Sequence, residues 1–185
     1  MKFLFIFIPI LIIGCSPLTI KDYEVLSYKE YLDSSQEKSI SKFYLLGKIS
    51  IFVDKKGFSG RINWKFNDDK SIIHIYNPFN TLIAKVTLNS SKKSINFEPK
   101  LDKRNDIEKM IFHLFGSKQN IFALRKMLTR PPNQLSIENR VSVKYQDWNV
   151  HFEGIKQIKE NRMPHIIEFE NESISFKIYI NQWVI

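Results

Sequence analysis

The sequence predicts an α+β fold built on one antiparallel sheet that curls into an unclosed barrel, a half-barrel with helices as its lid or plug. Three observations predict it. Short apolar runs alternate with period two, as at Leu82, Ala84, Val86 and Leu88 and again at Ile174, Phe176, Ile178 and Ile180, the spacing of a strand with one buried face. The period switches near Asp106 to helical spacing and later switches back. Finally, about ten strands in one sheet do not stay flat and open without curling, and helices inserted midway are placed to fill the curl.

The first element is a leader. Lys2 is followed by an apolar run from Phe3 to Ile13, broken only by Pro9. The run is shorter than the roughly twenty residues a membrane span needs and has the length of a signal-peptide core. Ile12-Ile13-Gly14-Cys15 resembles a bacterial lipobox: an aliphatic residue three before the cysteine, a small residue directly before it, then the thiol. The thiolate is the nucleophile that takes up a diacylglycerol group as a thioether, and Gly14 gives a peptidase access to the bond before Cys15. The expectation is a signal peptide over residues 1–14, removed, then a lipidated tether over 15–22. Cys15 is the only cysteine, so no intramolecular disulfide competes for it. Each buried methylene adds about 0.8 kcal/mol, so several acyl chains together hold a protein on a membrane essentially permanently. Ser16 stands where inner-membrane members of the lipoprotein class usually carry Asp, which implies the outer membrane, periplasmic face.

Residues 23–185 read as a single domain. Tyr23, Leu26, Tyr31, Leu32 and Ile40 are spaced as in an amphipathic helix from Tyr23 to Ser41. A β-rich run from Phe43 to Val53 ends at Asp54-Lys55-Lys56-Gly57, a turn with glycine available for positive φ. Phe58 to Phe66 follows, with Phe58, Ile62, Trp64 and Phe66 on one face, then a turn at Asn67-Asp68-Asp69-Lys70. Ile72 to Tyr76, the turn Asn77-Pro78-Phe79-Asn80, the strand through Leu82 to Leu88 and a fifth marked by Ile95 and Phe97 complete a meander. Ile107, Met110, Ile111, Leu114 and Phe115 then form one helical stripe ending at Gly116. A second helix runs from a cap at Asn120 to about Thr129 and is stopped by Pro131-Pro132. Strands resume over Val141 to Tyr145, Trp148 to Phe152, Ile166 to Phe169 and Ile174 to Ile180, with a short end at Trp183.

Composition agrees with a sheet protein and says little about chemistry. The chain has 15 Phe, 7 Tyr and 3 Trp and is 43% hydrophobic, a set that suits pleated, half-buried surfaces. Its 28 basic and 19 acidic residues leave a formal charge of +9, but the lysines are scattered, as at Lys92-Lys93 and Lys100…Lys103-Arg104, with no basic stripe interleaved with aromatics for nucleic acid. His74, His113, His151 and His165 stand alone, without metal-ligand spacing, and no phosphate loop or nucleophile elbow is present. No metal, no cofactor and no enzymatic activity are expected, and the chain is expected to be a monomer. His74 and His151, inside strands, read as exposed or hydrogen-bonded residues. The aromatic wealth fits either a filled core or a lipid cavity; pattern alone does not separate the two.

The turn Asn77-Pro78-Phe79-Asn80 stands out. Pro78 presets φ, and Asn77 and Asn80 suit turn geometry. Phe79 is unusual there, since a ring left in water forgoes about 1.5–3 kcal/mol of burial. Either it folds back on the barrel rim or it is displayed to a lipid or a partner.

Taken together these residues resemble the LolB family of outer-membrane lipoprotein receptors. The likeness rests on the Cys15 lipobox, Gly47, Arg61…Trp64, Asn77-Pro78-Phe79, Leu124-Arg125 with Pro132 beyond, Trp148, Met163-Pro164 and a last strand ending in Trp183-Val184. Met127 departs from the family's frequent Trp and Arg130 from its frequent Gly. The resemblance implies an unclosed barrel whose helices cover a hydrophobic cavity. Trp64, Phe66, Leu82, Ala84, Val86, Ile111, Leu114, Met127 and Ile178 are the candidate lining. It also implies a receptor that accepts acylated lipoproteins from a periplasmic LolA-type carrier and places them in the outer membrane, with Pro78-Phe79 as the membrane-insertion loop. A scaffolding lipoprotein with a filled core is the alternative of a different class, and an acyl-processing enzyme the weakest.

Overall fold

Alternation of buried and exposed side chains, read from the sequence, becomes a ten-stranded sheet in the computed structural model. The structure describes residues 25–35, 40–53, 56–100, 109, 111–112, 118–130 and 140–185. The leader, Cys15 and the tether lie outside these residues. So do Tyr23, Asp54, Lys55, Ile107, Met110, Leu114, Phe115, Gly116, Pro131 and Pro132.

The strands are β1 (Val25–Ser27), β2 (Lys42–Val53), β3 (Lys56–Asn67), β4 (Lys70–Tyr76), β5 (Leu82–Asn89), β6 (Ser94–Pro99), β7 (Arg140–Tyr145), β8 (Trp148–Glu153), β9 (Lys156–Ile158), β10 (Asn161–Met163), β11 (Ile166–Glu170) and β12 (Ile174–Val184). From edge to edge the sheet runs β1-β7-β8-β11-β12-β2-β3-β4-β5-β6, while β9 and β10 form a small separate hairpin. All pairs are antiparallel except β1 with β7. The meander β2 to β6 thus forms one arm. The chain then crosses to the far edge and works back inward through β7, β8 and β11, until β12 meets β2.

Two helices lie over the sheet, α1 (Tyr28–Ser34) and α2 (Lys118–Thr129); Lys109, Ile111 and Phe112 are also helical. Helix α1 starts at a capping box: the Ser27 hydroxyl accepts from the Glu30 amide at 3.2 Å and the Glu30 carboxylate accepts from the Ser27 amide at 2.7 Å, satisfying two donors the first turn would otherwise leave open. Those bonds hold the Glu30 carboxyl below its ordinary pKa. In α2, Ile121, Leu124 and Leu128 recur at helical spacing and are buried, with Ala123 and Met127 beside them.

Tyr31 joins the two helices. Its ring is fully buried and stacks on Phe152 at 5.6 Å. Its hydroxyl donates to the carbonyls of Met127, in the last turn of α2, at 3.1 Å and of Arg130, directly after it, at 3.0 Å. Burial pushes the phenol's pKa far up, so the group stays a donor. The Met127 carbonyl also accepts from the Arg130 amide at 3.3 Å, so loss of the hydroxyl forfeits ordinary hydrogen bonding, worth about 0.5–1.5 kcal/mol. Tyr31→Phe is therefore expected to lower the free energy of unfolding by that amount, read as a lower urea midpoint at unchanged slope; an unmoved midpoint would show that these bonds do not hold α2.

Five sequence expectations are corrected. The helix expected over Tyr23 to Ser41 is, among the described residues, a three-residue strand followed by a two-turn helix, because Val25, Leu26 and Ser27 find parallel partners in Ser142, Val143 and Lys144. Gly57 is not a positive-φ turn residue; it pairs with Phe52 within the β2–β3 ladder, and a Cβ there would come within 2.7 Å of the Phe52 ring. Leu82 does not share the inward face of β5. A register shift between Ile75 and Tyr76 places Leu82 opposite Tyr76, and Ile83, Ala84, Val86 and Leu88 are the buried residues. Trp183 is not a separate end: β12 runs on through an irregularity between Ile180 and Gln182 that returns Trp183 to the core side. Helix α2 also begins two residues before the cap expected at Asn120. The hairpin of β9 and β10 was not anticipated at all.

The sheet is curled. The Tyr28 and Tyr145 side chains, at the β1–β7 edge, and Ser90 and Lys93, on the β5–β6 turn near the other edge, line one gap across α2. A flat ten-stranded sheet would hold these edges far apart, at about 4.8 Å per strand.

Candidate lipid-binding site

The concave side of the sheet is apolar because each strand contributes every second residue to it. Ile62, Trp64 and Phe66 of β3 lie beside Phe43 and Leu45 of β2, Ile73 and Ile75 of β4, and Ala84 and Val86 of β5. Ile178 of β12 and Ile49 of β2 continue the surface across the sheet. Among the candidate lining residues, Trp64, Phe66, Ala84, Val86, Ile111, Met127 and Ile178 are buried in one core, whereas Leu82 is only partly buried and faces the other way. Leu114 lies outside the described residues. Trp64 packs edge-on against Phe43 at 5.8 Å and is fully buried, its indole N–H without a protein acceptor.

Two open pockets border this core among the described residues. One, about 740 Å³, sits where β2, β3 and β12 end and is lined by Phe43, Phe66 and Val184 among others. The second, about 500 Å³, is the gap between the sheet's two edges, walled by α2. Among the described candidate lining residues, Phe66 alone reaches either.

The β4–β5 turn projects from the sheet. The Asn77 side chain accepts from the Thr81 amide at 2.9 Å, the Asn77 amide donates to the Thr81 carbonyl at 3.0 Å, and the Asn80 amide donates to Asn77 at 3.0 Å. Asn80 takes φ 71°, the left-handed geometry asparagine tolerates. Pro78 and Phe79 are both exposed, and Phe79 is 89% exposed. The ring does not fold back on the rim.

The other sequence signals find structural places. A Cβ at Gly47 would overlap the carbonyl oxygen of Tyr179, so the close approach of β12 requires glycine. Arg61 lies over the Tyr76 ring at 5.8 Å. Trp183 donates to the Pro164 carbonyl at 2.7 Å and packs edge-on against Phe43 at 5.4 Å. Arg125 extends over the rings of Phe66 and Phe122, at 5.4 and 5.7 Å. His151 bridges the Ser142 hydroxyl, 2.9 Å from Nδ1, and Glu170, 3.4 Å from Nε2. That serine–histidine–glutamate row looks like hydrolytic machinery on paper, but the serine is buried within the β7–β8 ladder and neither described pocket reaches it. It is a cross-strand ladder. Sequence reading missed the basic lining of the gap, Lys93, Arg125 and Lys126. Phe122 followed by Arg125-Lys126 on one helix was a visible signal, whereas Lys93 arrives from a hairpin far away in the chain.

An outer membrane lipoprotein family model, that of LolB, matches residues 41–183. The chain belongs to the LolB family. An outer-membrane lipoprotein LolB of Nitrosomonas europaea is 19% identical over 190 residues, covering 94% of this chain and 88% of its own. One of Tolumonas auensis is 20% identical over 152 residues, covering 79% and 78% respectively. A crystal structure of a LolA superfamily protein from Nitrosomonas europaea superposes with a TM-score of 0.44 at 8% identity, covering 86% of this chain and 93% of that one, too loosely to add to the topology described above. Membership in the LolB family makes this an outer-membrane lipoprotein of receptor type and not an enzyme, with lipoprotein cargo supplied by a LolA-type carrier.

Proposed function

We propose that this chain, anchored through acyl groups on Cys15, takes the acyl chains of a lipoprotein from the carrier into the concave face of residues 23–185 and delivers them to the outer membrane through the Pro78-Phe79 loop. The observation that carries this reading is the exposed Phe79 ring, held out on a hydrogen-bonded turn at the end of two paired strands. Water-exposed phenylalanine has no benefit for a soluble fold; next to a bilayer it does.

The interior supports the reading in a particular way. Trp64, Ile111 and Met127 are closed off from water, so hydrocarbon chains enter by displacing α2 and its partners from the sheet. Met127, unbranched and adaptable, suits a surface that repacks around a guest. No nucleotide is needed if each acceptor holds the chains better than the last, with the bilayer the final one. The chain acts as a monomer and the process requires no cofactor.

The test is transfer of a radiolabelled acylated lipoprotein from a LolA-type carrier to the purified protein. The expected result is one-way passage, with the label leaving the carrier for this chain in near-stoichiometric amount. A carrier that keeps its cargo would leave a filled-core scaffold as the better account.

A further inference from the structure

The gap between the two edges of the sheet has a lining unlike the apolar interior it borders. Among the described residues its charged side chains are Lys93 from the β5–β6 turn and Arg125 and Lys126 from α2, with no acidic one among them. Tyr28, Tyr145 and Phe122 supply its ring surface. Two donors on lining residues, the Ser90 hydroxyl and Arg125 Nε, are buried and without a hydrogen-bond partner among the described residues. Every one of these polar groups is able to donate a hydrogen bond, and a buried donor without an acceptor is costly. The nearby carboxylate, Asp69, acts on Arg125 only through its field and accepts a hydrogen bond from Ser91. Burial against Phe66 and Phe122 pushes the Arg125 pKa down, the condition in which an anion at the guanidinium is most favourable.

We propose that this gap binds the phosphate group of an anionic lipid headgroup. Arginine matches phosphate oxygens with paired donors, and the lysines add charge from two sides. Free phosphate shares this chemistry, but it has no use for three aromatic rings, whereas a glyceride body lies against them. The ligand belongs to a different class from lipoprotein cargo, whose acylated cysteine carries no phosphate, so the site stands or falls independently of the transfer reading.

Calorimetric titration of the full lipid-anchored protein in a phosphate-free maltoside detergent tests it, with three probes: dibutyryl phosphatidylglycerol, dibutyrylglycerol and inorganic phosphate. The phosphatidylglycerol is expected to bind saturably, at least about tenfold more tightly than either other probe, and more weakly as salt rises. Arg125→Gln and Lys93→Asn are each expected to weaken it about tenfold or more. Lys93→Asn guards against misfolding, since Lys93 sits at φ 47° on a turn where asparagine is well tolerated. Equal binding of inorganic phosphate would overturn the lipid assignment, and equal binding of dibutyrylglycerol would overturn the role of phosphate. Wild-type affinity in a folded Lys93→Asn protein, or no saturable heat with phosphatidylglycerol, would overturn the site altogether.

Discussion

Phe79→Glu is expected to leave the protein folded and able to take cargo from the carrier, yet to slow delivery into membranes by about tenfold to a hundredfold. The first half follows from exposure. Phe79 is 89% exposed, and substitutions at such positions usually move stability by no more than about 0.5 kcal/mol. The turn is held by Asn77, Asn80 and Thr81, none of whose hydrogen bonds uses the ring. The second half follows from what the ring gains on entering lipid, about 1.5–3 kcal/mol, which a carboxylate both loses and opposes. The assay separates the steps: label moving from carrier to receptor, then from receptor to liposomes recovered by flotation. Phe79→Leu is expected to retain both. Delivery at the wild-type rate by the glutamate variant would reduce the loop to a passive turn.

The second large effect is expected inside. Trp64→Ala removes the bulkiest fully buried side chain of the core, packed on Phe43. Truncations of this kind cost about 3–5 kcal/mol when the surroundings do not collapse into the space. In a chain of this size that corresponds to a melting temperature lower by roughly 6–20 °C, read by circular dichroism. No acceptor among the described residues is stranded by the change, because the indole N–H has no partner there, and relief of that unpaired donor offsets part of the packing loss. A hydrophobic dye is expected to bind the variant more strongly than the parent. If melting barely moves, the space around Trp64 is already loose and hydrocarbon enters without displacing α2.

How legible was all this in the residues themselves? Strand faces were legible wherever alternation was strict: Phe58, Ile62, Trp64 and Phe66 are buried on the face their spacing indicates, as are Phe176, Ile178 and Ile180, with Ile174 partly buried. Where the backbone inserts a residue, the alternation misleads, and no local signal marks the insertion. Leu82 has the same character as Ala84 and Val86, and the register shift at Ile75 and Tyr76 alone turns it outward. Short elements escaped for a related reason. Val25–Ser27 is a strand because β7 lies beside it, a fact residing over a hundred residues away. Distance in the chain also hid the role of Tyr31, whose partners are Met127 in another helix and Arg130 just beyond that helix's end. The turn at Asn77 was legible in full, because proline and asparagine encode their geometry locally, but whether Phe79 folds back depends on the neighbouring surface. The gap with Lys93, Arg125 and Lys126 exists only once the two arms of the sheet have met.

The sheet that stops short of closing has a mechanical consequence. In a sealed cylinder, every change of girth must break a ladder of backbone bonds, because each strand is stitched to two others. Here, among the described residues, β1 and β6 each have one unstitched flank. A change in twist, a soft coordinate of any sheet, can therefore spread or narrow the molecule with every rung intact. If hydrocarbon guests are taken up as proposed, guests of different bulk are expected to be met by the same backbone wound a little more or less tightly, like a coil spring eased open by hand.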